Sequence, residues 1–357
     1  MAEPQVHRLA NGLTLIVAPD TTLPIVSVAV SYHVGVANED SGRTEFSHLF
    51  EHLMFMGSQH VPRGEHSRRI QDAGGRADAT TDFDRTYYYE QVPANQLEVV
   101  LWLESDRMGF MPGAITQQAL DLQRSVVESE HRQRRLNAPY GMAFWRGLSA
   151  LYTTGHPYAI PADNWLADLG SATLEDVRSF FRRFYGPNNA TIAIAGDLDP
   201  QGTLRMVQRY FGDIPQGPPV VRPKAQPVRL ELDKYVLLED QVEIPALLLM
   251  WPTDRVFSDD EAGLQVLARI LADGAGSRLY RRLVERERSA QSVTATQEGW
   301  ALAGQFSINV RGVPRGNLTP IRKAVAEEIA KLSGPLPPTE REVARAVNQI
   351  ERSMAQR

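Results

Sequence analysis

Apolar residues recur along this chain with two different periods, and the switches between them mark out its elements. Alternation with period two identifies strands at 13–17 (Leu-Thr-Leu-Ile-Val) and 25–30, where branched side chains also favour extended backbone. The stretch Phe46 to Gly57 follows the helical period and reads as one short helix that Gly57 stops. Residues 70–75 are a helix end running into a turn, and 85–92 are a strand. Helical periodicity covers 97–108 and 116 to about 135. Thr173 starts a further helix as N-cap, with Asp176 three residues on, and that helix runs to about Phe184. A strand at 191–197 and a helix at 200–211 follow.

Residues 214–227 then hold five prolines and one glycine, an extended and semi-rigid linker. Past it the order repeats: strand 246–251, helix 259–271, a Gly-rich turn, helix 277–287, strands 293–297 and 304–310, and helices 317–332 and 340–354. The spacing predicts an α+β protein of two similar α/β sandwich domains, each a mixed, largely antiparallel sheet with helices packed on it. The expected boundaries are 1–213, a linker at 214–227, and 228–357. The second domain lacks the helix–strand–helix block that closes the first, so it reads as incomplete, truncated at its C-terminal end.

Composition narrows the chemistry. The chain has 357 residues, 43% hydrophobic and 23% charged, with a net charge of −5. That suits two globular domains and gives no reason to expect nucleic acid as a partner. No apolar run reaches the 18 or so residues of a membrane span. The start, Met1-Ala2-Glu3-Pro4-Gln5, has no basic region followed by an apolar stretch, so no signal peptide is expected. The sequence leaves the compartment open: cytoplasmic, or periplasmic or secreted if a signal has been removed. There is no cysteine, so a metal site must use His, Asp or Glu.

One such site is visible. His48 and His52 are four apart in the first short helix, so both imidazoles lie on one face and reach one zinc ion. Glu51 leans toward the same side, where a carboxylate can act as general base to a water. The order H-x-x-E-H reverses the H-E-x-x-H pattern of other zinc helices. A catalytic zinc takes a third protein ligand. On the helix after Thr116, Glu130 shares a face with Gln123, Val126 and Val127, whereas Glu128 is flanked by Arg124 and Arg132. Glu130 is the candidate third ligand, with a core salt bridge as an equal alternative. His131 is a competitor that falls off that face. His60 and His66 read as solvent-facing, and Trp251 and Trp300 as core residues of the second domain.

Several motifs together resemble the pitrilysin family of zinc peptidases. They are His48-Leu49-Phe50-Glu51-His52, then Ser129-Glu130-His131 with 77 residues between His52 and Glu130, Pro139-Tyr140-Gly141, the segment Gly74–Thr81 with Asp84–Tyr89, and Ser277-Arg278-Leu279-Tyr280. The resemblance implies one zinc per chain held by His48, His52 and Glu130, with Glu51 as base, and hydrolysis of peptide bonds in extended peptides. It places substrate along an edge strand near Gly74–Thr81, with Asp78, Ala79 and Thr80 as the contacts. Gln123 stands where the family often has a second carboxylate behind the zinc. The family completes its site with an Arg and a Tyr from a second half, and here those positions look like Val284 and Gln291. The chain is therefore expected to be the zinc-bearing half, paired as a hetero- or homodimer with a second half. The alternative is a non-catalytic scaffold or assembly subunit.

Overall fold

Alternating apolar residues build the first sheet. In the strand Ile25–Tyr32, the side chains of Val26, Val28, Val30 and Tyr32 are buried while those between them are not. The computed structural model describes residues 3–153, 155–160, 165–224 and 227–355. They pack as two units: unit 1 joins Met1–His131 with Asp163–Pro223, and unit 2 joins Arg132–Ala162 with Lys224–Arg357. This differs from the contiguous division read from the sequence, because Arg132–Ala162 packs with the second unit. Hydrogen bonds show why: Tyr140 Oη donates to Ile244 O at 2.6 Å, and Tyr152 Oη to Gly304 O at 2.8 Å.

Unit 1 has a six-stranded sheet of β1 (Gln5–Arg8), β2 (Thr14–Pro19), β3 (Ile25–Tyr32), β4 (Arg76–Thr81), β5 (Thr86–Pro93) and β6 (Ala190–Gly196). Their order is β1-β2-β6-β3-β5-β4, antiparallel except for the parallel pair β2 and β6. The helices are α1 (Phe46–Leu53), α2 (Glu65–Asp72), α3 (Leu97–Phe110), α4 (Gln117–His131), α5 (Ala143–Leu151, in unit 2), α6 (Trp165–Gly170), α7 (Leu174–Phe184) and α8 (Pro200–Phe211). α3 and α8 pack on the sheet, while α1 lies on α4 and against β4. α7 begins with the capping box expected of Thr173 and Asp176. The short elements β1, α2, α5 and α6 carry too few residues for a clear periodic signal.

Unit 2 has a three-stranded antiparallel sheet, β7 (Ala246–Thr253), β8 (Ala290–Gly299) and β9 (Gly304–Gly312), in the order β7-β9-β8. It repeats the β3-β5-β4 part of the first sheet. Helices α9 (Glu261–Ala272), α10 (Leu318–Leu332) and α11 (Glu340–Ala355) surround it. The helix expected at 277–287 is a π-helical segment, Tyr280–Arg286. Trp251 is not a core residue: it stands on the edge strand β7, 38% exposed, with its ring against Phe306. Trp300 is half-buried against Tyr158.

A buried charge network ties α2, α3 and β5 together in unit 1. Arg107 on α3 is almost wholly buried, donates to Glu104 and lies 3.5 Å from Glu90 on β5. Tyr88 stacks under its guanidinium at 4.1 Å. His66 joins the network, 3.3 Å from Glu104 Oε1, which corrects the solvent-facing reading: α2 turns it inward. Burial and the neighbouring Glu104 push the pKa of Glu90 well up, while burial of Glu104 is outweighed by Arg107, which holds it low. The carboxylates face one another closely enough to hold a metal with His66, but Arg107 already supplies the cation.

Removing that cation should be costly. Arg107→Met is expected to lower the unfolding free energy by about 3–5 kcal/mol, because two buried carboxylates lose their partner; urea denaturation measures it, and no loss contradicts the assignment. In unit 2, Arg278 grips Glu342 through Nε at 2.8 Å and Nη2 at 2.7 Å, which holds the pKa of Glu342 down at about 2. A carboxylate with a lowered folded pKa contributes stability above its unfolded pKa and loses it as pH falls. Stability should therefore decline from about pH 4.5 toward about pH 2, and the decline should be shallower in Glu342→Gln.

Candidate metal centre

Helix α1 is amphipathic at close range. Phe46, Leu49, Phe50 and Leu53 enter the core, which leaves His48, Glu51 and His52 on the opposite, half-exposed side. The four-residue spacing brings the two imidazole rings to 4.9 Å between centroids, with Nε2 of each 3.3 Å apart. Glu130 arrives from α4. Its Oε2 is 3.3 Å from His52 Nε2 and its Oε1 is 3.7 Å from His48 Nε2. Zinc bonds of about 2.0–2.1 Å at tetrahedral angles separate ligand atoms by about 3.3–3.4 Å. Two of the three distances match that edge and the third is a few tenths longer, so the donor set fits the ion.

Helix α4 differs from the sequence reading in one respect. Its buried face runs through Leu120, Val127 and His131, while Val126 is exposed and Glu130 sits at the edge of the stripe. His131, read as off the inward face, is the residue that lies on it, stacked against Trp165. Glu130 is thus placed where its carboxylate meets both histidines and the solvent.

Surrounding groups orient these side chains. Gln123, about two turns before Glu130 on α4, hydrogen-bonds His52 and donates to Met56 Sδ at 2.8 Å. Burial holds the pKa of His52 down, and the charge of His48 adds to this. Burial opposes protonation of His48 as well, but the hydrogen bond and charge of Glu45 outweigh it and leave its pKa raised. Burial raises the pKa of Glu51, and a hydrogen bond from Thr81 on β4 works against that rise. β4 is the last strand of the sheet and pairs only with β5. Asp78, Ala79 and Thr80 lie on this strand, with the Asp78 carboxylate accepting from Tyr89 Oη at 3.4 Å. Val284 packs on the core of unit 2, and Gln291 is exposed on β8.

Two residues were not singled out from the sequence. Glu45 precedes α1 with φ of 71°, is buried, and accepts from His48 Nδ1 at 3.0 Å. An L-residue pays about 1–2 kcal/mol for the left-handed region. Glu39 accepts the backbone N–H of Glu45 at 3.1 Å and of Ser47 at 2.8 Å, which satisfies the free donors at the start of α1. No motif marks Glu39, because the cap comes from six and eight residues away and not from the N-cap position.

Comparison with known proteins agrees with this architecture. The model for "Insulinase (Peptidase family M16)" matches residues 15–147, a span that contains His48, Glu51, His52 and Glu130. The model for "Peptidase M16 inactive domain" matches residues 171–350. Zinc protease PqqE of Helicobacter pylori is 26% identical over 332 residues, 91% of this chain and 73% of that protein. The crystal structure of a protease from Helicobacter pylori superposes with a TM-score of 0.88 at 25% identity, covering 99% of this chain and 86% of that one. Pitrilysin superposes at 0.73 and 16% identity, covering 95% of this chain and 37% of its own. The chain belongs to peptidase family M16, the pitrilysin family. Among the described residues no helix is long and apolar enough to cross a membrane.

Proposed function

We propose that this chain is the zinc-bearing half of an M16 endopeptidase that hydrolyses peptide bonds in extended peptides. The observation that carries the reading is the convergence of His48 Nε2, His52 Nε2 and a Glu130 carboxylate oxygen, with spacings of 3.3 to 3.7 Å, beside Glu51. Zinc held there would supply Lewis acidity, lowering the pKa of water toward about 7 and polarising a carbonyl. The remaining work falls to the chain. Glu51 takes a proton from the attacking water and passes it to the leaving amine. Gln123 orients His52 without adding charge.

The outer edge of β4 pairs with no other strand and is open to an incoming extended peptide, as in strand addition, once the Ala79 N–H leaves the Asp78 carboxylate that holds it at 2.9 Å. Asp78, Ala79 and Thr80 are the contacts. Val284 carries no hydrogen-bond donor and Gln291 only a neutral amide, so a second half of different sequence is needed to supply an Arg and a Tyr to the developing oxyanion. A scaffold role is the competing reading. It draws on the name "inactive domain" carried by the model that matches residues 171–350.

Elemental analysis of zinc-loaded protein is expected to find one zinc per chain. With a second half present, Glu51→Gln should keep that zinc and lose about a hundred- to ten-thousandfold in kcat/KM on a quenched unstructured peptide. Substantial turnover by Glu51→Gln removes the base. One zinc with no turnover under any pairing favours the scaffold reading.

A further inference from the structure

We infer that Glu45 is a positioning residue for the metal ligand His48, held in a strained backbone conformation for that purpose. The inference rests on the zinc reading of His48, His52 and Glu130.

Three observations carry it. The first is backbone geometry. Glu45 sits at φ of 71°, a region that glycine occupies freely and that glutamate does not. The second is what its side chain leaves undone. As the N-cap of α1, Glu45 makes no side-chain capping bond, and the carboxylate of Glu39 takes the N–H groups of Glu45 and Ser47 instead. Helix capping therefore does not account for a buried acid at this position. The third is where the carboxylate points. Oε2 accepts from His48 Nδ1 at 3.0 Å, and Oε1 lies 3.9 Å from His131 Nε2.

A carboxylate only accepts, so Nδ1 of His48 carries the hydrogen and Nε2 turns its lone pair toward His52 and Glu130. A ligand histidine tied in this way to a carboxylate has a fixed tautomer and a fixed ring orientation.

The test compares wild type with E45Q, E45A and E45G in two measurements: zinc affinity by chelator competition, and melting of the metal-free chain. E45A and E45G are expected to bind zinc about ten- to a hundredfold more weakly. E45Q keeps an acceptor oxygen and should fall between them and wild type. Metal-free E45G should melt no lower than wild type and above E45A, because glycine takes this φ without strain. Weaker zinc binding in a chain that is no less stable cannot come from a merely structural role. Zinc affinity within twofold of wild type in both E45A and E45G overturns the inference and leaves the zinc site intact. A wild-type chain that takes up no zinc overturns both.

Discussion

In the proposed zinc site, three ligand atoms from two helices must meet within one bond length of a single point, and the packing around α1 and α4 meets that constraint. α1 supplies two of them from neighbouring turns, which needs only helical geometry. The third comes from α4, so the position of α1 against α4 has to be fixed to a fraction of an ångström. The apolar face of α1, from Phe46 to Leu53, anchors it in the core, and the Leu120–Val127–His131 stripe anchors α4. β4 closes the third side through Thr81 and leaves its other edge open beside Glu51. One packing arrangement thus positions both the candidate metal site and the strand edge proposed to receive a peptide.

The charges beneath this site follow a consistent logic. Buried acids are tolerated where a cation or a backbone donor meets them. Arg107 serves Glu104 and Glu90, the N–H groups at the start of α1 serve Glu39, and His48 serves Glu45. The two clusters look alike as sets of His and Glu, and the guanidinium of Arg107 is what separates a structural network from a candidate metal centre.

How much of this could be read from the sequence depends on the range over which each feature is encoded. His48, Glu51 and His52 are legible because one helix sets their geometry. Glu130 lies 78 residues beyond His52, and periodicity alone leaves it level with a salt bridge. The apolar stripe of α4 was misplaced by one residue, which put Val126 inside and His131 outside, the reverse of the structure. His66 was read as exposed because the eight-residue helix that turns it inward, EHSRRIQD, is almost wholly polar. Glu45 had no sequence signal, since its role depends on a positive φ and on Glu39 taking over the cap. Most strands and the two-unit repeat followed from alternation and spacing, whereas the sheet order β1-β2-β6-β3-β5-β4 did not, because it depends on pairings between distant segments. The return of Arg132–Ala162 to unit 2 did not, because it depends on contacts such as Tyr140 to Ile244.

The central claim is that His48, His52 and Glu130 converge on one zinc and leave a position open for water. Zinc K-edge X-ray absorption on the loaded chain tests it most directly. The account predicts a four-atom shell of nitrogen and oxygen at about 2.0–2.1 Å, with the multiple-scattering signature of two imidazoles. A six-oxygen shell without imidazole scattering would contradict it.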